Sequence, residues 1–318
     1  MDSEKISLLE ARDFGETFNV SIKFLRQNFK LFFKSIIFIA GPFLLISSIA
    51  GAFYSSNAVN MISVRNMMVS NPLALYGWSF VLYILASVIA NIILLATVFA
   101  FMLNYLEKGP NGFTVNEVAG TFIKNLGKIF VQFLVFTLII ILVIVVVVFV
   151  IAALSAIVPI LGILLGIAFF FGILIIGPPI MWQLSAAYLV RMHEGGGVFD
   201  SFGRTRQVMK DNFWWTWVIV VCSFIAVIII GSIFMLPQFI YQMVLMVSNM
   251  KGGTSETSIS FLIVVAICTF FSSIIYSALH LIYGIHYFSL NEKKFGKGLM
   301  EKINEIGNTP DNNVNQYY

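Results

Sequence analysis

The sequence predicts an all-α integral membrane protein with six transmembrane helices, arranged as three hairpins, each preceded by a cytoplasmic amphipathic helix. Three observations carry this expectation. Only 11% of the 318 residues are charged while 59% are hydrophobic, where a soluble domain carries roughly 25% charged residues. Asp, Glu, Lys and Arg are absent between Lys34 and Arg65, Arg65 and Glu107, Lys128 and Arg191, Asp211 and Lys251, and Glu256 and Glu292. Of 19 Lys and Arg, 17 fall in segments 1–34, 107–128, 191–211 and 291–318.

So few charges cannot coat a water-soluble particle, which excludes a soluble globular protein and a disordered chain. The pI near 9 resembles that of a nucleic-acid binder, but the positions of the charges give it another cause. Basic residues are retained in the cytoplasm, and only Arg65 and Lys251 fall on the other side. The reading is a multi-pass protein with both termini cytoplasmic and no nucleic-acid partner. The first 30 residues lack the features of a removable signal peptide. Cys222 and Cys268 sit inside apolar runs and read as packing residues.

A helix needs about 20 apolar residues to cross ~30 Å of hydrocarbon. The first two windows give spans near 31–53 and 78–103. The third window holds 62 residues and breaks best at Pro159, which lacks an N–H and disfavours helix at the preceding residue. Its spans are near 129–154 and 160–189. The last two windows give spans near 213–235, extendable past Pro237, and 261–288.

The chain divides into an interfacial helix over 1–30, a membrane domain over 31–290 and a cytoplasmic tail over 291–318. Lead-in segments near 14–29, 113–126 and 198–213 look alike. An offset of 184 superposes Phe18 on Phe202, Ser21 on Thr205, Arg26 on Lys210 and Asn28-Phe29 on Asn212-Phe213. A weaker copy at an offset of 97 matches Val115, Val118, Phe122, Asn125 and Leu126.

In the first segment Phe14, Phe18, Ile22, Leu25 and Phe29 follow the spacing of one helical face. Lys23, Arg26, Gln27 and Lys30 take much of the remainder. Two placements fit such a helix: the headgroup plane, or the cytoplasmic ends of the bundle. The candidate interfacial residues are Phe14, Phe18, Lys23, Arg26 and Phe29, with Phe202, Arg206 and Phe213 in the third segment. The partners they point to are the lipid bilayer, anionic lipids and other membrane proteins.

Residues 26–29, Arg-Gln-Asn-Phe, six spans and the exit Tyr287-Phe288-Ser289-Leu290-Asn291-Glu292-Lys293-Lys294 carry a resemblance. The chain is similar to the bacterial six-span membrane domain attached to some glycerophosphodiester phosphodiesterases, and to stand-alone relatives. The resemblance covers nearly the whole chain through short motifs, and it implies a bacterial inner-membrane protein. It brings no catalytic phosphodiesterase domain, since these residues hold no acidic, His-containing soluble domain.

No catalytic, metal or cofactor motif stands out. His193, His280 and His286 have no ligand-spaced partners apart from Glu194 beside His193. Residues 195–197 are three glycines without the Lys-Ser/Thr of a phosphate loop, and read as a flexible link. An enzyme is not expected. The candidate kink or gate residues are Gly41 and Pro42 in the first span, Gly177, Pro178 and Pro179 in the fourth, and His280 near mid-membrane. Broken helices and intramembrane titratable groups line transport sites, while prolines and hydrogen-bonded histidines also occur in ordinary spans. Two functions therefore remain: a membrane scaffold or assembly factor, and a permease or lipid transporter.

Overall fold

A computed structural model describes residues 5–62, 77–250 and 258–296. Arg65, Lys251 and the tail from 297 onward lie outside these residues. The described chain forms α1 (Phe14–Ile39), α2 (Gly41–Ile62), α3 (Trp78–Lys108), α4 (Val115–Ile157), α5 (Pro159–His193), α6 (Val198–Met209), α7 (Phe213–Met250) and α8 (Ile259–Phe295). Among the described residues six helices are long and apolar enough to cross a membrane. The protein is an all-α, multi-pass membrane protein, with hairpins α2–α3, α4–α5 and α7–α8.

The lead-in segments join their spans in three different ways, and two joins depart from the expected boundaries. The first span does not begin at Leu31. Residues 31–39 complete α1, Ala40 is a turn, and the membrane helix starts at Gly41. Pro42 is the second residue of α2, a first-turn position whose N–H would have no acceptor within its own helix. In the middle hairpin the lead-in from Val115 onward and the span are one unbroken helix, α4. In the third a single 3₁₀ turn, Lys210–Asn212, separates α6 from α7. The helix of the last span, α8, runs on to Phe295, so the segment from 291 begins as helix.

The three lead-ins start with the same cap. Glu16 Oε2 accepts from the Asp13 N–H at 2.9 Å, Glu117 Oε2 from Thr114 N at 2.6 Å, and Asp200 Oδ2 from Gly197 N at 3.0 Å. Each acid thereby satisfies a backbone donor at the start of its helix. Aligned on these caps, the buried positions coincide. Thr17, Ser21, Phe24 and Asn28 correspond to Val118, Phe122, Asn125 and Ile129, and the first three to Ser201, Thr205 and Val208. The middle offset is thus 101, one helical turn from the 97 read from residue identity. A four-residue shift turns a helix face by only about 40°, so pattern matching alone does not fix it.

The core sits toward the end where the lead-ins gather. Every residue of α3 from Ile93 to Met102 is buried, as is every residue of α8 from Leu281 to Glu292. These helices approach closely at Gly284, where a Cβ would lie 2.6 Å from Met102 Sδ. Residues 5–13 lie across the same end. Ile6 N donates to Tyr105 Oη at 2.9 Å and Arg12 N to Ser289 Oγ at 2.9 Å, with Leu8 buried between. In contrast, α4 buries nothing beyond Phe136.

Candidate functional site

Exposure on α1 runs in three sectors. The packed stripe holds Thr17, Ser21, Asn28 and Ser35 with Phe24, Phe32 and Ile36. Ser21 Oγ, Asn28 Nδ2 and Ser35 Oγ each donate to the carbonyl four residues earlier, so these polar groups enter the bundle already satisfied. The face read from sequence as apolar lies beside this stripe, not in it: Phe14, Phe18 and Leu25 are half-buried, Ile22 is 49% exposed and Phe29 59% exposed. Lys23, Arg26, Lys30 and Lys34 are exposed on the third sector. The arrangement follows from the solvent. Lipid tails are as apolar as any core, so apolarity alone does not pick the packed face, and small hydrogen-bonded residues share it with Phe24, Phe32 and Ile36.

The third lead-in repeats this with fewer residues. Ser201 and Thr205 are packed, Arg206 and Phe199 are exposed, and Phe202 is half-buried, its ring 5.9 Å from that of Phe136. Phe213 is half-buried with its ring 5.4 Å from Trp214. The first and third segments meet where the Phe14 ring stands 6.0 Å from Trp215, edge-on, with Lys293 Nζ 5.7 Å from the same indole. Trp215 carries no sequence signal, because it opens an apolar window like any span residue.

Polar locks hold this end. Arg204 Nε lies 3.4 Å from Glu194 Oε2, its Nη2 donates to Asn291 Oδ1 at 3.2 Å, and its guanidinium sits 3.9 Å from the Phe295 ring centre. Tyr287 Oη donates to Glu194 Oε1 at 3.0 Å. Gly195 and Gly196 adopt φ of 81° and 82°, a left-handed turn that glycine makes without strain. The three glycines are therefore a defined corner between α5 and α6. Burial lowers the Arg12 guanidinium from its ordinary range, opposed by its ion pair with Glu10 at 2.9 Å.

The kink and gate candidates do not converge. Gly41 and Pro42 form the joint between α1 and α2. Gly177, Pro178 and Pro179 lie inside α5, which continues through them. The carbonyl of Leu174, four residues before Pro178, instead accepts from the indole N–H of Trp217 on α7 at 3.1 Å. His280 lies on α8 with both ring nitrogens buried and without hydrogen-bond partners among the described residues. The histidine that the structure binds tightly is His286. Its Nε2 lies 3.1 Å from Thr216 Oγ1 and its ring 5.2 Å from Trp182, whose Nε1 donates to the Tyr283 carbonyl at 3.2 Å.

Among the described residues no three His, Cys, Asp or Glu side chains stand together as a metal site would require. Comparison with family models, with curated proteins and with solved structures returns no match. The functional reading therefore rests on the arrangement of the chain itself.

Proposed function

We propose that this chain is a non-catalytic protein of a bacterial inner membrane, with both termini cytoplasmic, acting as a scaffold or assembly factor for lipid and membrane partners. The single observation that carries the reading is the three-sector surface of α1. Its stripe of small polar residues with Phe24, Phe32 and Ile36 is consumed in packing, while an aromatic sector and a basic sector stay available side by side. A surface of that kind lies at the headgroup level, with Lys23, Arg26 and Lys30 toward anionic lipid or an acidic partner. The likeness to the membrane domain of glycerophosphodiester phosphodiesterases points the same way, as does the likeness of the three lead-in caps, which we read as an internal repeat.

The test is affinity purification of the full chain in mild detergent, with bound proteins and lipids identified. The variant Lys23→Glu/Arg26→Glu/Lys30→Glu alters only exposed side chains and keeps the packed stripe. Deleting residues 1–30 would instead remove Phe24 and Asn28 from the core. Loss of a specific partner and of anionic lipid at an unchanged unfolding temperature is the expected result. An unchanged set of partners and lipids would overturn the scaffold reading.

The second reading is a permease or lipid transporter, favoured by His280, whose ring nitrogens are buried in a span without hydrogen-bond partners among the described residues. Flux into proteoliposomes that His280→Ala and Pro178→Ala/Pro179→Ala abolish would favour transport over scaffolding.

A further inference from the structure

The far half of α1 and the start of α4 enclose an open groove of about 450 Å³. Leu31, Lys34 and Phe38 line one side, and Phe113, Thr114 and Asn116 the other. The groove is apolar with one cation in it. Lys34 makes no ion pair among the described residues, and its Nζ stands 6.0 Å from the Phe38 ring centre. The acid nearest in sequence to the far wall is already engaged: Glu117 accepts from Lys108 Nζ at 2.6 Å and from Thr114 N at 2.6 Å. Lys34 is therefore left as the uncompensated charge of the groove.

Lys34 is the last charged residue before Arg65, and a basic side chain in that position sits at the polar edge of the apolar layer. One turn further, Phe38 is 67% exposed and offers an aromatic wall on the apolar side of that edge. A cation at the boundary and an apolar wall beyond it match the two parts of a phospholipid, an anionic headgroup and its acyl chains. A soluble acidic peptide would use the charge and leave the wall unfilled.

We propose that this groove seats one anionic phospholipid, with its headgroup phosphate at Lys34 and an acyl chain along Phe38. The inference rests on the reading of α1 as a lipid-facing helix, and it adds a discrete site to that diffuse surface.

Native mass spectrometry of the full chain, titrated with phosphatidylglycerol and with phosphatidylcholine of the same chains, tests it. One phosphatidylglycerol should bind ahead of any phosphatidylcholine. Lys34→Gln should weaken that lipid about fivefold, the effect of one basic residue near an anionic surface. Asn116→Trp should fill the groove and displace the lipid without changing charge, whereas Lys23→Gln, on the same helix but outside the groove, should leave it bound. Equal losses for Lys23→Gln and Lys34→Gln would overturn the groove while sparing the lipid-facing reading of α1. Equal binding of the two lipids to the unaltered chain would overturn both. An unfolding temperature matching the unaltered chain shows that each variant is folded.

Discussion

The indole N–H of Trp217 donates to the carbonyl oxygen of Leu174 at 3.1 Å. Within an α-helix that oxygen would accept from residue 178, which is proline and has no N–H to give. The α7 helix thus supplies a donor that α5 lacks, and links the second hairpin to the third. In hydrocarbon no water would do so, and an orphaned carbonyl is costly. The prolines of α5 act here as part of a helix–helix contact, and α5 stays helical on both sides of them.

Trp217→Phe should therefore destabilise the protein by about 1 kcal/mol, the net worth of a typical hydrogen bond. In a Pro178→Ala background residue 178 can serve the carbonyl, and the same change should cost less. Reversible unfolding in mixed micelles, run as a double-mutant cycle, measures the difference. Equal costs in both backgrounds would show that the proline and the indole are uncoupled.

The crossing of α3 and α8 depends on the missing side chain at Gly284. A Cβ there would meet Met102 Sδ at 2.6 Å and Cε at 2.7 Å, and Met102 is fully buried. Gly284→Leu should cost about 1–3 kcal/mol by overpacking. Gly284→Ala should cost less, because a methionine end can move, and Met102→Ala should lessen the cost of Gly284→Ala further. Thermal unfolding of the unaltered chain, the three single variants and the Gly284→Ala/Met102→Ala double variant reads this order, and no rescue by Met102→Ala would place the strain elsewhere.

The hairpins were legible because hydrocarbon thickness sets the length of a span, and charge-free windows record it directly. The break at Val158 before Pro159 and the basic clustering followed from the same arithmetic. The face of α1 was not legible in the same way. Apolarity marks the interior only where the solvent is water, and here Ile22 and Phe29 stay outside while Ser21 and Asn28 go in beside Phe24 and Phe32. Nor could the sequence single out His286 over His280, since the choice rests on Thr216, 70 residues away. The middle offset of 101 needed the Glu117 cap, which identity between side chains obscured.

Substitutions on α1 test that inversion. Phe24 is completely buried, with its ring 4.6 Å from Tyr105 and 6.1 Å from Phe101. Phe24→Ala should cost ~3 kcal/mol through the cavity it leaves. Phe29→Ala, only five residues on, should change stability by no more than about 0.5 kcal/mol while lowering the anionic lipid that co-purifies with the chain. Unfolding in micelles and lipid analysis of the purified protein separate the two effects. If Phe29→Ala were the more destabilising change, the face of Phe14, Phe18 and Phe29 rather than the stripe of Ser21, Phe24 and Asn28 would be the packed one.

Sidedness follows from charge, and accessibility labelling decides it. The native thiols, Cys222 and Cys268, are free and are first removed as Cys222→Ala and Cys268→Ala. Single cysteines are then placed as Arg65→Cys, Lys251→Cys, Asn116→Cys, Phe199→Cys and Pro310→Cys. A membrane-impermeant maleimide should label positions 65 and 251 on intact cells, and positions 116, 199 and 310 only after permeabilisation. The expectation has a physical basis: 17 of the 19 basic residues flank the second group, and moving them across the membrane opposes the retention of Lys and Arg in the cytoplasm. One reversed position would change the parity of the spans before it, and the six-helix count would fail with it.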